Sequence, residues 1–147
     1  MGQLIAAPEQ TVTLFKQHIR PAQPADPKRL ASLLGDLDSE QFAVRDKASQ
    51  EIEKLADLAE PALRKALDKS PPPEARRRLE KLLAQVEGDI PCGEKLRRLR
   101  VVEVLEHIAT PEARQLLQKL ADGAPEARLT REAKAALAQL ERRQSLR

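Results

Sequence analysis

The chain has 147 residues, of which 41% are apolar and 33% charged, and its 26 Lys and Arg nearly balance 23 Asp and Glu, for a formal net charge of +3. This length suits one domain with a buried core, and the abundant Leu and Ala exclude a disordered chain. The small net charge excludes a strong electrostatic field around the whole molecule. The lone Cys92 excludes an intrachain disulfide, and no apolar run approaches the ~20 residues that span a bilayer.

The first quarter of the chain predicts two helices separated by an extended connector. Pro8 suits the first turn of a helix, because that turn does not use the N–H that proline lacks. Three prolines from Pro21 to Pro27 then prevent a continuous helix. Asp26 is expected to cap the second helix, whose leucines recur at helical spacing.

The next segment predicts a helix pair. Its first helix is expected to begin after Asp38 or Ser39 and to end near Leu55, and a shorter helix restarts at Pro61. The predicted inner stripe of the first helix is Phe42, Arg45, Ala48, Ile52 and Leu55. Phe42 is the expected core anchor, so its truncation to alanine is expected to cost ~3–5 kcal/mol.

The second half of the chain predicts four more helices, one of which Thr110 is expected to cap. Pro-Glu-Ala-Arg opens three of them, at Pro73, Pro111 and Pro125, because proline fits the first helical position and glutamate complements the helix dipole. The fourth spans about Glu94 to Ile108, and its predicted inward residues are Leu96, Leu99, Val102, Leu105 and Ile108. No strand-like alternation of four or more residues occurs, so the sequence predicts an all-α fold.

The helix pair resembles the HEAT-repeat family. The resemblance rests on Asp38, Val44-Arg45, Ala48, Ile52, Leu55, Pro61, Leu63 and Leu67. It implies a right-handed α-solenoid of about seven to eight helices, in a single domain over residues 1–147. Within this domain, residues 1–27 are expected to form an irregular helix and a connector, and residues 28–147 the helix-pair repeats. In that family an Asp and an Arg contribute to a polar ladder between successive repeats, and Asp38 and Arg45 match those positions.

The chain also resembles the helical C-terminal region of planctomycete WD-repeat propeller proteins. This resemblance rests on four runs, Phe42–Arg45, Thr110–Arg114, Gly123–Pro125 and Leu129–Leu137. In those proteins the helical segment follows or flanks a β-propeller. The resemblance therefore implies an accessory module of a larger bacterial scaffold, without chemistry of its own.

The sequence contains no recognisable catalytic or metal-binding constellation. His18 lacks a further ligand at helical spacing, and Glu103, four residues before His107, is typical of a surface pair. Cys92 lies in a proline–glycine turn without a neighbouring histidine. No glycine-rich phosphate loop is present. We therefore expect no enzyme activity, no cofactor and no metal.

Basic residues form the candidate binding surface. They are Arg76, Arg77, Arg78, Lys81, Arg97, Arg98 and Arg100, with a further pair at Arg142 and Arg143. The interleaved Glu residues favour a solvated face, whereas a concave basic stripe would bind phosphates. The absence of Trp and Tyr argues against base stacking, so any nucleic acid is expected to bind through its backbone.

The sequence favours a non-catalytic protein–protein interaction or scaffold module, because helix-pair repeats present extended binding surfaces. The first alternative is nucleic-acid binding through the basic residues. The second is a helical-repeat enzyme such as a bilin lyase-like HEAT protein, which rests on fold analogy alone. The expected partner is an unidentified protein. The chain is expected to be a piece of a longer protein, with the cytoplasm as the favoured compartment. Its N-terminus lacks the pattern of a signal peptide.

Overall fold

The computed structural model describes residues 7–88 and 93–146, and in these residues it contains helices but no strand. The predicted all-α class is thereby confirmed. In chain order the elements are α1 Pro8–His18, α2 Pro27–Asp36, α3 Phe42–Leu55, a 3₁₀ helix Ala56–Ala59, α4 Glu60–Asp68, α5 Pro73–Glu87, α6 Gly93–Ile108, α7 Pro111–Ala121 and α8 Arg128–Ser145. Among the described helices, none combines the length and the apolar character needed to cross a membrane.

Helices α2 and α7 begin at capped residues, as predicted. The Asp26 carboxylate accepts a hydrogen bond from the Lys28 backbone N–H (3.0 Å), and the Thr110 hydroxyl accepts one from the Ala113 backbone N–H (3.3 Å). Each bond satisfies an N–H that the first helical turn would otherwise leave unpaired. A proline follows both caps, at a position where its missing N–H costs nothing.

Helices α3 and α8 begin later than predicted, because turns precede them. α3 begins at Phe42 rather than directly after Ser39. The Ser39 hydroxyl accepts a hydrogen bond from the Gln41 backbone N–H (3.3 Å), which holds this stretch in a turn. α8 begins at Arg128 rather than at Pro125, and a turn closed by a 3.0 Å backbone hydrogen bond precedes it.

The residues from Pro24 to Gly88 form one compact unit, here called the continuous unit. α2 and α5 each pack against α3 and α4, and the 3₁₀ helix contacts α3, α4 and α5. The buried core includes Leu30, Leu37, Ala48, Ile52, Ala59, Leu63, Leu79 and Leu82. Complete burial of each large side chain stabilises the unit by roughly 1.5–3 kcal/mol.

Residues 7–23 and 93–146 form the second compact unit, here called the split unit because its helices come from two separate stretches of the chain. α6, α7 and α8 pack against one another, and α1 packs against α6 and α7. The predicted extended connector follows α1, and its Ala22 carbonyl accepts a hydrogen bond from the Ala124 backbone N–H (2.7 Å). The core of this unit includes Val12, Ile19, Val102, Leu105, Ala113, Leu116, Leu117, Leu120, Leu129, Ala133, Ala136 and Leu140. The single domain over residues 1–147 stays a prediction.

The prediction that Phe42 anchors the core is wrong. Phe42 is 67% exposed, whereas Ala48 and Ile52 on the same helix are buried. The predicted stripe ran from Phe42 through Arg45 to Ala48 in two steps of three residues. Because an α-helix has 3.6 residues per turn, each such step falls ~60° short of a full turn. Phe42 is therefore rotated by ~120° from Ala48 and lies beside the core rather than in it.

Candidate functional site

The predicted basic residues of α5 divide into free and paired cations. Arg76, Arg77 and Lys81 are exposed, and the described residues offer them no carboxylate within ion-pair distance. Arg78 is different, because its Nη2 lies 2.8 Å from Glu74 Oε1 and the side chain is only 23% exposed. Three of the four predicted cations on this helix are thus open to a ligand.

The predicted basic residues of α6 are partly neutralised. Glu94 lies 3.4 Å from Arg98 and 3.9 Å from Arg97, so one carboxylate serves both guanidinium groups. Arg100 is exposed. Arg97, Arg98 and Arg100 belong to the split unit and the α5 residues to the continuous unit, so neither unit by itself contains all seven predicted residues.

Arg142 and Arg143, which are neighbours in the sequence, have different surroundings on α8. Arg143 Nη2 lies 3.2 Å from Glu106 Oε1 on α6, so this arginine joins two helices of the split unit. Arg142 Nε donates to the Ala138 carbonyl one turn earlier (3.3 Å). The pair therefore does not act as one basic patch.

A cleft between α2 and α3 was not anticipated from the sequence. Its volume is about 400 Å³. It is lined by Arg29, Leu33, Asp36, Val44, Lys47, Ala48 and Glu51. Leu33 and Val44 are half-buried and Ala48 is buried, so the cleft has an apolar floor within a charged rim. All seven residues belong to the continuous unit.

One end of this α2–α3 cleft is closed by an ion-pair network. Arg29 Nη2 on α2 lies 2.5 Å from Glu51 Oε2 on α3, and Lys54 Nζ lies 2.7 Å from the other oxygen of Glu51. The hydrogen bond from Lys54 and its positive charge, with a smaller contribution from Arg29, lower the pKa of Glu51. The Arg29–Glu51 contact also places the first turn of α2 beside the last part of α3, so the two helices run antiparallel.

The other end of the cleft carries two charges without partners. Asp36 is the last residue of α2, and Lys47 lies in the second turn of α3. Among the described residues neither side chain has an ion-pair or hydrogen-bond partner. An unpaired acid and an unpaired base therefore stand on opposite walls of a cleft that Leu33 and Val44 also line.

Phe42 and Arg45 lie on a different flank of α3. The Arg45 guanidinium carbon is 5.8 Å from the centroid of the Phe42 ring, within the range of a cation–π contact. Arg45 Nη1 also donates to the Ser39 and Glu40 carbonyls, at 2.7 and 2.9 Å. The guanidinium thus holds the turn before α3. The ladder between repeats to which Asp38 and Arg45 were assigned stays a prediction.

The two histidines bond to their own helices. His18 Nδ1 lies 2.9 Å from the Leu14 carbonyl, and His107 Nδ1 lies 2.8 Å from the Glu103 carbonyl. In residues 7–88 and 93–146, no group of three or more His, Cys, Asp or Glu side chains is arranged to hold a metal ion. Cys92 lies outside the described residues.

The α2–α3 cleft combines an apolar floor with one unpaired acid and one unpaired base. Its floor can cover an apolar side chain, and its unpaired acid and base can each accept an opposite charge. Leu33 was anticipated only as a core residue of α2, and Val44 only as part of the HEAT-like motif. The signal in the sequence is weak, because the two residues come from different helices. No protein-family model, curated protein or solved structure matches this chain.

Proposed function

We propose that this chain is a non-catalytic protein–protein interaction module, built from HEAT-like helix pairs in a right-handed solenoid, that serves a larger scaffold protein. The observation that carries the proposal is the open α2–α3 cleft. Its half-buried Leu33 and Val44 gain from being covered, at ~25 cal/mol for each Å² removed from water. The resemblances to HEAT repeats and to the helical region of WD-repeat proteins support the same assignment.

The charges around the cleft support a specific partner rather than a general apolar surface. Arg29 and Glu51 neutralise each other, whereas Asp36 and Lys47 have no partner among the described residues. Charged groups at the edge of an interface contribute more to the choice of partner and to the rate of association than to affinity. A cleft with both signs of charge therefore favours a protein surface that presents complementary charges.

Site-specific cross-linking tests this proposal. A photoreactive amino acid is placed at Lys47 in the full chain, and a matched control carries it at Lys65, an exposed lysine on α4. Expressed in the source organism, the Lys47 variant should yield one discrete protein adduct that the Lys65 variant lacks. The partner identified by mass spectrometry is then purified, and its binding to the purified chain is measured by calorimetry.

Two substitutions decide whether the cleft is responsible. Val44→Glu should weaken binding of the purified partner by about tenfold or more, because a charge replaces an apolar contact. Glutamate is tolerated at this position of the helix, since it complements the positive N-terminal end of α3. Lys65→Glu should leave the affinity unchanged. Absence of a Lys47-specific adduct, or equal affinity of the two variants, contradicts the proposal.

Nucleic-acid binding is the second candidate, and one observation favours it. Arg76, Arg77 and Lys81 lie within one exposed sector of α5 and lack carboxylate partners among the described residues, although Glu80 on the same sector offsets one charge. Three phosphate contacts predict a slope of about −3 for log affinity against log salt concentration on duplex DNA. Binding at low salt that disappears in Arg77→Ala would support this candidate, and no binding at low salt removes it.

A further inference from the structure

We propose that the α2–α3 cleft binds a short helical segment of a partner protein that carries one apolar residue flanked by a basic residue and an acidic residue. The inference rests on the proposed function and adds the chemistry of the partner. It follows from three features of the cleft: an apolar floor, two unpaired charges of opposite sign, and the direction of the two helices.

The floor determines the apolar part of the partner. Leu33 on α2 and Val44 on α3 form the two sides, and the small Ala48 leaves room between them. A groove between two helices is the common site for the apolar face of a third helix. One turn of such a helix presents a single leucine-sized side chain to a site of this size.

The two unpaired charges determine the flanks of the segment. Asp36 stands at the C-terminal end of α2, where the helix dipole also attracts a cation. Lys47 stands in the second turn of α3, in the N-terminal half of that helix. Because α2 and α3 are antiparallel, the C-terminal end of α2 and the N-terminal half of α3 lie at the same end of the cleft. The partner therefore needs a basic residue towards α2 and an acidic residue towards α3.

The mixed charge argues for a protein helix and against a polyanion. A nucleic acid or an anionic lipid surface placed on this cleft would face the Asp36 carboxylate. At the other end, the Glu51 carboxylate is already paired with both Arg29 and Lys54. A segment with one base and one acid satisfies both free groups without leaving a like charge opposite either of them.

Designed peptides test the inference on the full chain. The probes are capped alanine-based helical peptides with a central leucine, whose two flanking positions carry Lys and Glu, Lys and Lys, or Glu and Glu. A fourth peptide has the Lys and Glu flanks but alanine in place of leucine. Binding is followed by NMR through the backbone amides of Leu33, Val44 and Ala48, with Leu63 in the core of the same unit as a reference.

We expect the Lys/Glu peptide to shift the three cleft amides and to bind about fivefold more tightly than the Lys/Lys or the Glu/Glu peptide, because an exposed ion pair contributes up to ~1 kcal/mol. The alanine peptide should not bind measurably. In Asp36→Lys both walls are basic, so the preference should move to the Glu/Glu peptide. This variant should fold, since a cation is favourable at the end of α2.

The inference is overturned if no peptide shifts the cleft amides, if the three charged peptides bind equally, or if Asp36→Lys leaves the preference unchanged. This failure is distinct from failure of the proposed function. A protein that cross-links at Lys47 and loses affinity with Val44→Glu establishes an interaction module even if the peptides show no charge preference. Conversely, the peptide preference can hold when no protein adduct forms at Lys47.

Discussion

Truncation of Phe42 tests how α3 faces the core of the continuous unit. Phe42 is 67% exposed, whereas Ile52 on the same helix is fully buried. The two side chains belong to one helix and one unit, so their effects on the free energy of unfolding can be compared in the same transition. The structure predicts that these effects differ severalfold.

The free energy of unfolding lost in Phe42→Ala follows from the small area that the Phe42 side chain buries. A fully buried phenylalanine removes ~200 Å² from water, so a third of it is ~65 Å², and at ~25 cal/mol per Å² the loss is at most ~1.6 kcal/mol. Alanine keeps part of this area and favours a helix by ~0.5 kcal/mol, while the lost Arg45 contact costs a similar amount. We expect about 1 kcal/mol for Phe42→Ala and ~2–5 kcal/mol for Ile52→Ala.

Urea unfolding followed by far-ultraviolet circular dichroism measures both losses. The chain has no Trp and no Tyr, so intrinsic fluorescence offers little signal. The comparison requires that the slope of the free energy against urea is the same in the wild type and in both variants. A loss at Phe42 as large as that at Ile52 would refute the exposed placement and restore the predicted stripe.

Three further substitutions test other parts of the structure. Thr130 is fully buried and its hydroxyl has no hydrogen-bond partner among the described residues. Thr130→Val should therefore raise the free energy of unfolding by ~1 kcal/mol in urea titrations, and an unchanged or lower free energy of unfolding contradicts this. Gly123→Ala places a Cβ 2.8 Å from the Thr130 hydroxyl and 2.9 Å from a backbone nitrogen, so it should cost ~1–3 kcal/mol in thermal melts. Its matched control Gly35→Ala meets open space and should be neutral or stabilising, and equal melting shifts would refute the packing at Gly123. Lys54 lowers the pKa of Glu51, so Glu51 stabilises the folded chain above its unfolded pKa, and this stabilisation is lost as pH falls through its folded pKa. Glu51→Gln should therefore make the urea midpoint less dependent on pH in the acid range. Parallel plots of urea midpoint against pH for the wild type and the variant would contradict this.

Part of the site could be predicted from local spacing. Glu74 stands four residues before Arg78, and Glu94 stands four before Arg98, a separation that brings side chains together on any helix. The pairing of these arginines therefore follows from the sequence alone. Spacing alone does not divide the seven basic candidates into free and paired side chains, because Glu80 stands four residues after Arg76 and the two are not paired.

The α2–α3 cleft could not be predicted in this way. Arg29 and Glu51, which close it, are 22 residues apart in the chain. Leu33 belongs to the regularly spaced leucines of α2 and Val44 to the HEAT-like motif, and neither pattern indicates a cleft. Only the packing of α2 on α3 decides which apolar side chains are covered and which remain at the surface.

The sequence by itself determined where most helices begin and that the fold is all-α. Prolines and caps such as Asp26 and Thr110 act within the first turn, so their effect needs no distant contact. The later starts of α3 and α8 depend on turns whose hydrogen bonds compete with the helix. Such competition is local as well, but its outcome is decided by small differences in energy.

Only the tertiary structure decided which face of each helix is buried. Sequence periodicity placed Leu96 and Leu99 on the inner stripe of α6, yet they are half-buried, and Val104 outside that stripe is buried. The reason is that α1, α7 and α8 all pack against α6, so more than one side of it is covered. Phe42 is exposed for a different reason, because two steps of three residues rotate it by ~120° from the buried Ala48. The packing of α2 and α5 on α3 decides which of these two residues faces the core.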